Sequence, residues 1–298
     1  MVTHTHPTLP EFDYLQPESL VEASAFLAEH ASEARPFLGG TDIFVRMRDG
    51  FFSPKFLVNV KHLPGMNDIQ FDPQTGLTIG AAVNMNRVAA NPEVKTHYPL
   101  LTEACQSVAS YQLRNRATIV GNICNASPAG DTLGACLALG GLLQVHGLEG
   151  RRQEPLTGFF SGPGKTRLKA GDIVTGINFP LPPQGSAGAY LKLGRNKISD
   201  LSIVGVTVLA YPDSRLLSGL CFHIVLASVA PVPLVAVEAE TCLGAQAVTP
   251  ESIHQAARLA SEACTPIDDI RSSARYRKLM VKNLTETALT NVWHKLQK

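Results

Sequence analysis

The amino-acid sequence predicts a two-domain protein of mixed helix and sheet, and three observations indicate this class. Between residues 19 and 60, helix and strand patterns alternate, which is typical of a small α/β unit with a parallel strand pair. Residues 180–186, Pro-Leu-Pro-Pro-Gln-Gly-Ser, have the composition of a linker. Three apolar strands and then two helices follow this linker, so we expect one domain at residues 5–182 and a second at 187–298.

The first domain begins with elements that alternate in type. Apolar residues at helical spacing predict a helix over residues 19–30, and Pro36 precedes a short strand, Phe37-Leu38, that ends at Gly39-Gly40. The remaining patterns predict helical segments at 43–48, 85–90, 99–113 and 132–139, and strands at 56–60, 77–81, 142–146 and 173–179.

The second domain opens with three strands rich in Val, Ile and Leu, at residues 188–193, 201–211 and 217–230. Asp213-Ser214 has the composition of a turn between the last two of these strands. Pro250 lies at a first-turn position of a helix over residues 251–264. A final helix begins near Ser273 and carries one apolar stripe.

Composition and charge disfavour several classes of function. The 298 residues carry a formal net charge of +1, with Lys and Arg scattered, so neither nucleic-acid binding nor attraction to a membrane surface is indicated. The longest run free of charged and amide side chains, residues 133–143, is too short to span a bilayer. The first residues lack the basic and apolar segments of a secretory signal. We expect a cytoplasmic protein without membrane insertion.

The cysteines do not indicate a metal site. None of the six lies in a C-x-x-C spacing or beside a His at metal-ligand spacing. An iron–sulfur cluster needs several thiolates gathered in short loops, so we expect reduced, buried thiols and no cluster in this chain.

The first candidate binding segment is the turn Phe37-Leu38-Gly39-Gly40-Thr41-Asp42. Glycines let the backbone approach a phosphate closely and adopt positive φ at little cost. The amides of Gly40, Thr41 and Asp42 open the following helical turn, where the helix dipole favours an anion. The alternative is a plain strand-to-helix turn with no ligand.

The second candidate segment is Thr118-Ile119-Val120-Gly121-Asn122. Gly121 permits close approach, and Thr118 and Asn122 offer side-chain donors. Two such turns, far apart in sequence, can enclose one elongated anion such as a dinucleotide pyrophosphate. Asp131, just before a predicted helix, has two interpretations: an N-cap, or an acceptor for ribityl or ribose hydroxyls.

The chain resembles a known family in four segments, which are residues 37–48, 112–131, 162–166 and 273–280. It is similar over nearly its whole length to the FAD-binding medium subunit of the molybdenum hydroxylases, the xanthine dehydrogenase and carbon monoxide dehydrogenase group. The resemblance implies an α+β fold: a two-subdomain FAD-binding domain of the PCMH type, followed by a small C-terminal antiparallel sheet plus helices. No histidine is placed for covalent attachment, so we expect noncovalent FAD.

The resemblance also implies the cofactor-binding residues. Both turns correspond to the FAD pyrophosphate and ribityl region, and two further flavin contacts and one apolar neighbour are implied. These residues are Phe37, Leu38, Gly39, Gly40, Thr41, Asp42, Thr118, Val120, Gly121, Asn122, Asp131, Val174 and Lys192. For Lys192 the alternative is a solvated charge at a strand start.

Val120 departs from the family pattern, which has a second glycine at this position. If the backbone there needed positive φ, a β-branched residue would be strained by about 1–2 kcal/mol. The alternatives are an extended conformation at this position or looser flavin binding. We favour the extended conformation, because Ile119-Val120 has the composition of a strand end.

The implied function is electron transfer from [2Fe-2S] clusters of a small partner subunit to FAD and on to an acceptor such as NAD⁺. A molybdenum cofactor on a large partner subunit would oxidise the substrate, in a dimer of heterotrimers. No side chain of this chain is expected to act as a catalytic acid or base. Two alternatives are a self-sufficient FAD oxidase or reductase of the related fold and a flavin-free scaffold subunit.

Overall fold

The first part of the chain folds as an α/β unit, in agreement with the alternating patterns. The structure, a computed structural model, describes residues 8–196 and 200–297, so the expected domain limits at residues 5 and 298 lie outside it. β3 lies between β1 and β2 and is parallel to both. The elements of this unit are β1 (Asp13–Leu15), α1 (Leu20–Glu29), β2 (Ala34–Phe37), α2 (Ile43–Arg48) and β3 (Phe56–Asn59).

A second unit of the first domain contains an antiparallel sheet with the strand order β4-β5-β10-β6-β7. Helices and a short hairpin, β8-β9, are inserted between its strands. The elements are β4 (Ile69–Asp72), β5 (Gly76–Gly80), α3 (Met85–Ala90), α4 (Pro92–His97), α5 (Pro99–Ser107), α6 (Tyr111–Arg114), α7 (Ile119–Asn125), α8 (Leu133–Ala138), β6 (Leu142–Gly147), β7 (Gly150–Pro155), β8 (Phe160–Gly162), β9 (Lys165–Thr166) and β10 (Ile173–Phe179).

One helix of this unit differs from the prediction. The segment 99–113 is not continuous, because α5 ends at Ser107 and α6 begins at Tyr111. Between them Ala109 has a φ of 38°, and the Ser110 side chain caps α6 by accepting a hydrogen bond from the backbone N–H of Leu113. The apolar spacing gave no sign of this break, because a serine within a periodic segment does not by itself end a helix.

In its described residues, the C-terminal domain consists of an antiparallel sheet of strands β11 to β14 and three helices. The sequence patterns did not predict α9 (Val237–Gly244). Thr249 and Ser252 form a reciprocal capping box at the start of α10. The elements are β11 (Ala187–Leu193), β12 (Val204–Pro212), β13 (Leu220–Ala227), β14 (Leu234–Val235), α9 (Val237–Gly244), α10 (Pro250–Ala263) and α11 (Ala274–Leu296).

One face of the C-terminal sheet packs in the core of its own domain, and the other face packs against the first domain. Alternate residues of β12, such as Val206 and Val208, lie on the face that packs against α11 and form part of the C-terminal core. Residues on the opposite face, such as Leu209 and Val225, join the core of the first domain. Gly134 in α8 packs so closely on this face that a Cβ would overlap the Thr207 hydroxyl. The loop before α8 is therefore held at the domain junction.

Over the two described ranges, 8–196 and 200–297, no helix combines the length and apolar character needed to cross a bilayer. The same ranges contain no cluster of three or more His, Cys, Asp or Glu side chains suited to holding a metal ion. The six cysteines are unpaired thiols.

Candidate functional site

The first predicted turn, residues 37–42, links β2 to α2 in a conformation that requires glycine. Gly40 has a φ of +79°, a left-handed conformation that few other residues adopt. Phe37 is buried beneath the turn and Leu38 is half-buried against the core. A Cβ on Gly40 would also lie 2.9 Å from the Phe37 ring. The turn therefore packs directly on the Phe37 ring and has no room for a side chain at Gly40.

The two predicted turns lie against each other, although nearly eighty residues separate them. A Cβ on Gly39 would overlap the carbonyl oxygen of Arg116, which lies two residues before Thr118. The Arg116 Nε donates to the Gly39 carbonyl at 3.4 Å. The Asn125 amide at the end of α7 donates to the Asp42 carboxylate at 3.0 Å. The expected convergence of the turns is thus present.

The second segment is the start of a helix, so the prediction that Ile119-Val120 ends a strand was wrong. Thr118 is the N-cap of α7, and its Oγ1 accepts a hydrogen bond of 2.9 Å from the Gly121 N–H. This cap satisfies one amide locally, which apolar composition alone could not reveal. Val120 is buried and adopts helical geometry without positive φ. The backbone strain that a β-branched residue would suffer at positive φ therefore does not arise.

The helical start leaves polar groups available beside the first turn. The Val120 amide lies in the first turn of α7, where no intrahelical acceptor exists, whereas the antiparallel bridge between Asn84 and Thr118 places the Ile119 amide opposite the Val83 carbonyl. The Asn122 Oδ1 is buried and has no hydrogen-bond partner. A buried acceptor without a partner is uncommon in folded proteins and indicates a missing donor such as a ligand hydroxyl or amide.

Asp131 is not the N-cap of α8, and that interpretation was wrong. Thr132 occupies the cap position without a side-chain bond, while the Asp131 carboxylate turns toward the C-terminal domain. Its Oδ1 accepts from the Tyr190 hydroxyl at 2.7 Å and its Oδ2 from the Lys192 ammonium at 2.7 Å. Lys192 also donates to the Ser107 carbonyl at 3.2 Å. Asp131 therefore forms a buried ion pair with Lys192 instead of capping α8. This pair joins the two domains.

Lys192 is not a solvated charge, because only 15% of its side chain is exposed. Its partner Asp131 is buried as well, with 7% of its side chain exposed. Burial raises the pKa of Asp131, and the neighbouring Lys192 and Tyr190 oppose that change. Burial and the Asp131 charge raise the pKa of Tyr190 well above its usual value. Sequence analysis did not single out Tyr190. The available signal was its position two residues before Lys192, which places both side chains on one face of β11.

Val174 lies in β10, opposite Val145 of β6, and is 5% exposed. The strand register shifts between Val174 and Gly176, and α7 packs against this strand. Val174 thus belongs to the apolar core of the first domain, next to α7, and not to the polar groups at the start of α7.

Two cations that the sequence analysis missed lie beside the first turn. The Lys61 ammonium is 4.5 Å from the centroid of the Phe37 ring, and Arg116 bonds to the Gly39 carbonyl. Burial and the nearby Arg116 charge lower the pKa of Lys61. Within the described chain, no carboxylate lies within 4.0 Å of either cation. Two unneutralised cations beside the glycine turn favour a doubly charged anion.

Two family models match almost the whole chain. A model of the FAD binding domain in molybdopterin dehydrogenase matches residues 10–182, and a model of the CO dehydrogenase flavoprotein C-terminal domain matches residues 189–292. The glycine turn, the helix start and the unpartnered Asn122 acceptor fit the diphosphate and hydroxyls of this cofactor.

Known relatives give the same result. The chain is 32% identical to the carbon monoxide dehydrogenase medium chain of Hydrogenophaga pseudoflava over 284 residues, which are 95% of this chain and 98% of that one. It is 26% identical to a putative xanthine dehydrogenase FAD-binding subunit of Escherichia coli K12, over 93% of this chain and 94% of the other.

A solved structure of carbon monoxide dehydrogenase from Hydrogenophaga pseudoflava, which lacks the Mo-pyranopterin moiety of the molybdenum cofactor, also matches. It has a TM-score of 0.91 at 32% identity, with 97% of this chain and 99% of that chain covered. These likenesses extend over both domains and agree with the mixed α+β architecture. The chain therefore belongs to the FAD-binding medium-chain family of the molybdopterin dehydrogenases, as an oxidoreductase subunit with FAD as its cofactor.

Proposed function

We propose that this chain is the electron-transfer subunit of a three-component molybdenum hydroxylase. It passes electrons from [2Fe-2S] clusters of a small partner subunit to an acceptor such as NAD⁺. Substrate oxidation belongs to a molybdenum cofactor on a large partner subunit. When bound, FAD supplies the exchange between one-electron and two-electron transfer. The observation that supports the proposal is the close packing of the glycine turn against the start of α7, with two cations beside the glycine turn.

The first turn and the start of α7 would hold the FAD diphosphate. The amides of residues 40–42 and of Val120 would donate to its oxygens, and Lys61 and Arg116 would balance its charge. Thr118 acts indirectly, because its hydroxyl already caps α7. Gly39 lets the two turns pack closely, because a Cβ there would overlap the Arg116 carbonyl oxygen, and a Cβ on Gly121 would crowd the Thr118 hydroxyl.

The remaining residues would position the ribityl chain and the flavin ring. The Asn122 Oδ1 would accept from a ligand donor, and Asp131 would use the acceptor capacity that Tyr190 and Lys192 leave free. Val174 would contribute apolar packing near the ring. No side chain of this set is required as an acid or a base, because the redox chemistry belongs to the cofactor.

The proposal includes an obligate complex, with a large and a small subunit in a dimer of heterotrimers, located in the cytoplasm. Relatives named medium chains support the existence of companion chains. We also propose that the domain limits are residues 5–182 and 187–298, on either side of the linker.

Flavin content tests the proposal directly. The full chain, purified and incubated with FAD, should show the visible bands of a bound flavin. Gly40→Val should lose flavin, because Gly40 has a φ of +79° and faces the Phe37 and Phe44 rings. Gly50→Val is a matched control, since Gly50 has a φ of +75° but nothing within 4 Å of its Cβ position. The control should bind FAD normally.

Other outcomes identify the alternative functions. Wild-type chain that stays colourless after reconstitution, yet assembles with its partners, indicates a flavin-free scaffold. Turnover of an organic substrate by this chain alone indicates a self-sufficient oxidase or reductase. Either result would overturn the proposal.

A further inference from the structure

The segment 273–280 matches the family pattern but has no role in the site described above. Its Arg277 lies in the first turn of α11, and its side chain is only 2% exposed. A guanidinium is almost never fully buried unless it is paired, so its partners indicate what it does.

The partners of Arg277 are two backbone carbonyls and one carboxylate. Nη1 donates to the Ser228 carbonyl at 2.7 Å and to the Ile203 carbonyl at 3.3 Å. Nη2 donates to the Asp269 carboxylate at 2.7 Å. The planar guanidinium thus joins the end of β13, the start of β12 and the segment before α11.

Ser228, the principal acceptor, has a strained backbone. Its φ is +67°, which is unfavourable for a residue with a Cβ, and such residues persist only where several contacts hold them. Its hydroxyl lies 2.7 Å from the Ser202 hydroxyl and 2.9 Å from the Ser202 carbonyl, so its single proton can be donated to either oxygen. Arg277 holds the carbonyl of the same residue.

Ser228 and Ser202 in turn hold the loop that carries Asp131. The Ser228 N–H donates to the Pro128 carbonyl at 2.7 Å. The Ser202 Oγ lies 3.3 Å from the Ala129 carbonyl, to which it donates. Pro128 and Ala129 lie three and two residues before Asp131. A continuous series of hydrogen-bonded residues therefore runs from Arg277 to the loop at residues 128–131.

We propose that Arg277 is a positioning residue for the FAD site: through Ser228 and Ser202 it fixes the backbone of residues 128–131 and hence the Asp131 carboxylate. The inference rests on the proposed function, because it needs Asp131 to face the cofactor. Arg277 does not touch FAD. It couples the last helix of the C-terminal domain to cofactor affinity.

The test compares FAD affinity with stability in deflavinated full-length chain. Arg277→Met and Arg277→Lys should raise the FAD Kd about tenfold or more, because a charge-assisted hydrogen-bond set is lost. They should also change the visible circular dichroism of the flavin that still binds. Val281→Ala is the matched control, since Val281 is buried one turn further along α11. It should lower the melting temperature while the Kd stays within about twofold of wild type.

Ser202→Ala keeps the test decisive if the Arg277 variants do not fold. It removes only the hydroxyl that links Ser228 to Ala129, and it should raise the Kd about threefold or more. The proposal is overturned if Ser202→Ala and any folded Arg277 variant match Val281→Ala in Kd and flavin dichroism. If wild type itself binds no FAD, the proposed function fails instead, which is a distinguishable result.

Discussion

Replacing Lys192 with Met should destabilise the chain by about 3 kcal/mol at pH 8. Methionine keeps the apolar stem but removes the ammonium that lies 2.7 Å from Asp131. Removing one partner of a buried ion pair costs about 3–5 kcal/mol, because the other charge is left without compensation. The Tyr190 hydroxyl still donates to Asp131 at 2.7 Å, which places the expected loss at the lower end of that range.

The loss should depend on pH with a definite sign. Burial already raises the pKa of Asp131 above its ordinary value of 3.8, and removal of Lys192 takes away the largest opposing influence. An acid whose folded-state pKa is raised binds more protons folded than unfolded. Its folded state therefore loses stability as pH rises from the ordinary value to the raised one. Since the variant has the higher pKa, its deficit relative to wild type should be smaller at pH 5 than at pH 8.

Urea unfolding of the deflavinated chain at pH 5 to 8 measures this deficit. Lys295→Met is the matched control: Lys295 lies 3.7 Å from Glu103 at the same domain junction, but half of its side chain is exposed. That variant should change the free energy of unfolding by less than about 1 kcal/mol. The reasoning is refuted if the two variants lose equal stability, or if the Lys192→Met deficit is the same at pH 5 and pH 8.

Three further predictions concern the two turns. Gly39→Ala should abolish flavin content, because its methyl group would overlap the Arg116 carbonyl and force the turns apart. The same variant should lower the free energy of unfolding, measured in urea, by about 1–3 kcal/mol. Normal flavin spectra would contradict this prediction. The double variant Lys61→Gln, Arg116→Gln should raise the FAD Kd about tenfold at low salt in fluorescence titrations. The increase should be smaller at high salt, because salt screens charges near the surface. A change in Kd that does not depend on salt would count against a contact of these cations with phosphate. Val120→Gly should lower the free energy of unfolding by about 2–3 kcal/mol but leave the FAD Kd unchanged, because the amide remains; tighter binding would show that the side chain obstructs the site.

The elements that could be predicted from sequence are those specified by local signals. The helix at Met85–Ala90 has the predicted limits, and its cap Asn84 accepts a hydrogen bond from the Arg87 N–H. The glycines at 39 and 40 marked a turn that only small residues could form, and the structure has a positive φ at Gly40. In each case a few neighbouring residues determine the geometry, so a short window of sequence is informative.

The interpretations that failed depended on partners far along the chain. Asp131 has a common N-cap position, but its partners Tyr190 and Lys192 lie 59 and 61 residues later in another domain. The alternation of β11 predicts that these two side chains share a face, but not which loop that face meets. Likewise, Ile119-Val120 has strand composition, yet the Thr118 cap and burial against the core make it helical.

The linker at residues 180–186 divides the sequence but does not divide the candidate site. The first domain supplies Asp131 and both turns, whereas the second supplies Lys192 and Tyr190 to the same carboxylate. A buried carboxylate without these donors would be unfavourable in the first domain alone. The C-terminal sheet therefore helps to hold the loop at residues 126–132, because Tyr190 and Lys192 bond to its Asp131 carboxylate. Any ligand that binds the ordered loop must then stabilise the docked arrangement by an equal free energy, so cofactor binding and domain docking are thermodynamically linked.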